Sequence, residues 1–150
     1  ESMASLELCS QYDYAKKALA LYRKNEKSQN PFLLSLGVNA IEMLLKSIIE
    51  QESGIVPEEL DTHYLLEICT EINKMRIPHF QINYKFQQMC KEIQRYYNGA
   101  RYYNPNNRRS NIFDDFDYKI VKETVDATEE LLKEYEQIHI KNLEDLTKDL

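Results

Sequence analysis

The sequence predicts an all-α fold, an up-and-down bundle of four to five helices. Apolar residues recur every three or four positions through successive stretches of the chain. No stretch alternates polar and apolar residues for long enough to form a convincing strand. Three Gly and four Pro in 150 residues leave little material for long loops, so neighbouring helices are expected to run antiparallel.

The first helix is expected over residues 5–26, where Leu8, Tyr12, Ala15, Leu19 and Tyr22 share a face and Lys16, Lys17, Arg23 and Lys24 lie outside it. A polar link, Lys27-Ser28-Gln29, leads to the second and central helix over residues 30–54. Its stripe is Leu34, Val38, Ile41, Leu45 and Ile48, widened by Leu33, Leu44 and Ile49. Asn30 can cap its start, Pro31 loses nothing at the first helical position, and Gly54 can supply a left-handed stop. Asn39, Glu42 and Lys46 sit on or beside that stripe. Glu42 and Lys46 stand four apart in the favourable acid-then-base order, and spacing alone favours a solvated surface pair.

After a loop holding Pro57, Asp61 or Thr62 is expected to cap a third helix presenting Leu65, Ile68 or Cys69, Ile72 and Met75, which must end before Pro78. A fourth helix runs from about Tyr84 to Ala100 with Phe86, Met89, Cys90, Ile93 and Tyr96 or Tyr97 on one face. A polar loop over residues 104–111 follows. The fifth helix begins near Asp114, where Asp114, Asp115 and Asp117 suit the positive end of the dipole. Its expected stripe is Phe116, Ile120, Thr124, Ala127, Leu131 and Tyr135, flanked by Val121, Val125, Thr128 and Leu132. Residues 1–4 are expected to be an artificial or disordered start, 5–140 the bundle, and 141–150 a frayed polar tail.

Composition narrows the function. At 150 residues, with 43% hydrophobic and 29% charged residues, the chain suits a single domain with its own core. A net charge of −6 argues against non-specific nucleic-acid binding, which needs a basic surface. No apolar run is expected to reach the roughly 20 residues that span a bilayer, and no signal peptide is evident, so a cytoplasmic protein with no membrane partner is expected. Cys9, Cys69 and Cys90 are odd in number, lack CxxC spacing and lie on apolar stripes; buried, reduced thiols are expected. Scattered histidines without paired ligands give no support to a metal site, and no cofactor is called for.

Short patterns in order carry the reading further. NAIEMLLKSII in the second helix, THYLLEI opening the third and ARYYNP closing the fourth, followed by one long last helix, resemble the HEPN family of small helical domains. That family typically shows Q-A-x-E-x-x-L-K-A-x-L, then T-H-x-L, then an A-R-Y-P-like motif. The likeness spans residues 5–138. Asn39 replaces the common Gln, Ser47 the common Ala, and Tyr103-Asn104-Pro105 stretches the usual Tyr-Pro.

The resemblance implies that Glu42, Lys46, His63, Arg101 and Tyr102 line one cleft, which is either a ligand site or a structural ion-pair network. His63 either serves in that cleft or packs locally near a helix end, where the dipole disfavours its charged form. The planar fork of Arg101 can hold Glu42 or clamp a phosphate. HEPN ribonucleases carry an arginine followed by four to six residues and a histidine; here Asn106, Asn107 and Arg108 occupy the matching offsets after Arg101, and none is a base. Arg76 and His79 are only three apart and straddle Pro78.

The favoured reading is therefore a non-enzymatic HEPN-like domain, of the type that accompanies minimal nucleotidyltransferases in toxin–antitoxin or defence pairs. It is expected to bind a nucleotide or phosphorylated ligand, or a partner protein, and to form a homodimer. Tyr96, Tyr97, Tyr102 and Tyr103 favour core packing over base stacking, and Arg108 and Arg109 a solvated loop. The alternatives are a degenerate ribonuclease using Arg101 with a non-standard base such as His63, and a purely structural dimerisation or interaction domain.

Overall fold

The computed structural model describes residues 10–55, 60–99 and 113–148. Among them the chain is all-helical, with no strand: α1 (Ser10–Asn25), α2 (Pro31–Ser53), α3 (Leu65–Lys74), α4 (Tyr84–Ile93), a single turn α5 (Tyr96–Gly99) and α6 (Asp115–Thr147). The all-α bundle is thus what the periodicity predicts.

Local chemistry fixes the ends of α2. The Asn30 side chain accepts the Phe32 amide at 2.9 Å, Pro31 opens the helix, and Gly54 at φ 87° closes it while its N–H donates to Glu50 at 2.7 Å. Helices α1, α6, α5 and α3 all pack on α2, so its whole predicted stripe is buried. Burial extends to faces that the stripe leaves polar. Ser47 is sealed against the Leu44 carbonyl at 2.6 Å, and Glu42 and Lys46 are buried too. Gly37 marks a close approach: an added Cβ would lie 2.6 Å from Val121 of α6 and 3.0 Å from Tyr22 of α1. A solvated Glu42–Lys46 pair is therefore overturned, because a helix packed on several sides has no water-facing flank at that point.

A correction follows for membrane length. The 23-residue α2 is long and apolar enough to cross a bilayer by length and composition, contrary to the expectation that no run approaches that span. In the fold 78% of that apolar window is buried by neighbouring helices, as suits the core helix of a bundle.

Other elements differ from expectation in their ends and phase. Helix α3 starts at Leu65, beyond Asp61 and Thr62, and its N-cap Tyr64 makes no side-chain cap. The expected fourth helix breaks at Gln94 and Arg95 into α4 and α5. On α6 the core face is Tyr118, Val121, Thr124, Val125, Thr128, Leu132 and Tyr135, rotated from the expected stripe, while Phe116 is 56% exposed. An Asp114–Asp117 capping box starts this helix, which continues to Thr147 through residues expected to fray. Cys69 and Cys90 are buried free thiols with sulfurs 4.0 Å apart, and the contact together with burial pushes the Cys90 thiol well above its ordinary range. Cys9, Pro57, Arg101, Tyr102, Tyr103, Arg108 and Arg109 lie outside the described residues.

Candidate functional site

The site forms where α2 meets the lead-in to α3. Glu42 Oε2 accepts from Lys46 Nζ at 2.8 Å and from His63 Nδ1 at 2.9 Å. Glu42 and Lys46 are 4% and 7% exposed, so this ion pair is desolvated. Burying two charges is costly unless each finds its partners. Lys46 meets that demand with Glu42, but Glu42 Oε1 is buried with no hydrogen-bond partner among the described residues. An orphaned carboxylate oxygen is rare in a folded protein and calls for a donor.

His63 is held on two sides while remaining half exposed. Its ring stacks on Tyr97 with centroids 4.7 Å apart and planes inclined by 22°. Gln94, from the break between α4 and α5, clamps the backbone around it. Gln94 Nε2 donates to the His63 carbonyl at 3.0 Å, and its Oε1 accepts the Leu65 amide at 2.7 Å. The α3 N-terminus is thus capped from the α4–α5 break, which a local search for Ser, Thr, Asp or Asn cannot find. Thr62 still contributes, accepting the Tyr64 amide at 3.2 Å.

In front of His63 lies an open cleft of about 420 Å³, whose walls include Asp61, Tyr64, Gln94, Arg95 and Tyr97. Arg95 sits 4.8 Å over the Tyr96 ring, donates to the Tyr96 hydroxyl at 2.6 Å and reaches Asp117 at 3.4 Å. The Tyr96 hydroxyl also donates to Asp117. Burial first, then the bond to Asp117, pushes the Tyr96 phenol up to about 12. Burial alone would raise the Asp117 carboxyl, but the Tyr96 hydroxyl, the Asp114 contacts and Arg95 outweigh it and hold the carboxyl below its usual range. The start of α6 is thereby tied to the cleft wall.

Of the residues predicted for the site, Glu42, Lys46 and His63 come together; Arg101 and Tyr102 fall outside the described residues. Sequence reasoning missed Gln94 and Arg95. It also missed a second carboxylate–histidine pair further along α2, where Glu52 Oε2 accepts from the Tyr135 hydroxyl and from His139 Nδ1 at 3.2 Å. The His139 ring in turn stacks on Tyr135 with centroids 5.6 Å apart. Only the spacing of Tyr135 and His139 on α6 hints at it.

No family model, curated protein or solved structure matches the chain.

Proposed function

We propose that this protein is a non-catalytic helical domain that binds a nucleotide, through its flat nitrogen-rich ring, in the cleft beside His63. The observation that carries this reading is the buried Glu42 carboxylate, which holds His63 with one oxygen and leaves the other without a donor among the described residues. A ring N–H or amino group supplies what that oxygen lacks, and Tyr97 and Tyr64 offer aromatic faces. His63, with half its side chain exposed, lines the cleft and touches the carboxylate behind it. The likeness of three sequence motifs to HEPN domains of the non-ribonuclease type supports the same class. A homodimer, a nucleotidyltransferase partner and a toxin–antitoxin or defence setting belong to this proposal.

The test is a thermal-shift titration against nucleosides and nucleotides. Ligand at a hundredfold its Kd should stabilise the fold by about 2.7 kcal/mol. The shift should vanish in Tyr97→Ala and weaken in Glu42→Gln. No response to any nucleoside or nucleotide sinks the reading and leaves a structural domain.

One observation favours a second reading. A carboxylate-held imidazole with an arginine on the same cleft wall is an arrangement for proton transfer beside a phosphate. That revives the degenerate ribonuclease, with His63 as base and Arg95 on the cleft wall. Arg95 is already engaged by Tyr96 and Asp117, which weighs against it. RNA cleavage by purified protein that disappears in His63→Ala would establish this activity; its absence removes it.

A further inference from the structure

At the opposite end of α3 the chain breaks two local rules within one turn. Arg76, just past the end of α3, has φ 53°, and His79 has φ 66°. Both lie in the left-handed region, where glycine or asparagine is favoured and a larger side chain is strained. The Phe80 amide donates to the Ile77 carbonyl at 3.1 Å, closing a turn with Pro78 second and His79 third. The third place of such a turn with positive φ is glycine's.

Neither side chain anchors the turn, although the Arg76 amide donates to the Asn73 carbonyl at 3.2 Å as α3 ends. Ile77, Phe80 and Ile82 are buried, the Asn73 amide bonds the Ile82 N–H at 2.8 Å and its carbonyl at 3.0 Å, and Asn142 of α6 donates to the Pro78 carbonyl at 3.0 Å. Arg76 and His79 are exposed and make no side-chain hydrogen bond or ion pair among the described residues. The left-handed Arg76 helps to end α3, but neither exposed side chain serves the fold, and strained positions with idle side chains are where function is to be sought.

Both line one open cleft of about 870 Å³, together with Lys74, Thr70 and Gln81. No carboxylate among the described residues lines it, although the chain carries a net charge of −6. Glu71 holds Lys74 from outside at 3.2 Å, and Glu52 and Asp145 line an adjoining cleft that shares His79. We propose that the larger cleft binds a small phosphate-bearing polyanion, with the Arg76 fork on one phosphate and Lys74 and His79 on the next. Phe80 on its wall is 7% exposed, which leaves the small His79 imidazole as the exposed ring there and favours a ligand held by its charges over one held by base stacking. This site goes beyond the nucleotide cleft, which lies about 15 Å away across the ten residues of α3.

The test follows the melting of the full chain with inorganic tripolyphosphate, with ATP and with citrate at matched ionic strength. Tripolyphosphate lacks a ring, so its response is independent of the His63 cleft; nucleosides lack phosphate and report on that cleft alone. Tripolyphosphate should raise the melting temperature, and Arg76→Gln and Arg76→Gly should each weaken its binding by about tenfold or more. Arg76→Gly and His79→Gly should melt no lower than wild type, because glycine relieves the left-handed strain. No shift at about 10 mM tripolyphosphate, binding unchanged in the Arg76 variants, or an equal response to citrate would each overturn the proposal.

Discussion

Two carboxylates on α2, Glu42 and Glu52, each hold a histidine, yet they do different work. Glu52 receives Tyr135 and His139 with its side chain still 22% exposed, so water can reach whatever the protein leaves unmet. Glu42 receives Lys46 and His63 with its side chain 5% exposed, and water has little access to the oxygen that no described residue partners. Exposure of the histidines runs the other way: the His139 side chain is 12% exposed and that of His63 51%. One pair is a strut with its imidazole packed inside, tying α2 to α6. The other keeps inside an acceptor with no partner among the described residues, and its imidazole lies half exposed.

The largest effect that can break this contrast is Lys46→Ala, which leaves the Glu42 carboxylate buried without its cation. Urea unfolding should show a loss of about 3–5 kcal/mol. A loss well under 1 kcal/mol would mean that Glu42 is solvated, and the two ends would then be alike. At the other end Tyr135→Phe should cost about 1 kcal/mol, since Glu52 can turn to water for its lost hydroxyl. Equal losses from the two substitutions would sink the distinction.

Gln94→Ala sharpens it further by removing the clamp on His63 and Leu65. Stability should fall by about 1 kcal/mol. Hydrogen exchange should quicken in the first turn of α3 and stay unchanged at His139.

The smallest effect is acid sensitivity at the cleft wall. The Asp117 carboxyl is held below its unfolded value, so its stabilisation is complete above that value and is lost as pH falls through the folded one. Urea midpoints compared at neutral pH and at about pH 3 should therefore fall less in Asp117→Asn than in wild type. An identical fall would show that Asp117 contributes nothing to the linkage.

These contrasts explain how far the sequence could be read. The caps of α2 were legible because Asn30, Pro31 and Gly54 act on backbone groups within a few residues. Its stripe was legible because it covers more than one face. An acid and a base four apart look the same on a wet or a dry helix, so Glu42 and Lys46 gave no sign of burial; their cover comes from residues remote in sequence. The phase of α6 was ambiguous because two adjacent apolar rows fit the same period. The row through Val121, Val125 and Leu132 took the core, leaving Phe116 exposed. Gln94 was invisible as a cap because it acts across 29 positions on Leu65. The meeting of Glu42 with His63 was anticipated from the order of motifs alone, since 21 positions separate the two residues and no local spacing joins them.

The Asn142 hydrogen bond to Pro78 gives the far end of α6 a grip on the turn that presents His79. Force or docking at those last helical turns would pull directly on a backbone already bent into an unfavourable shape. The last turns of α6 thus share in fixing the turn that carries His79, and Asn142→Ala would remove that tie.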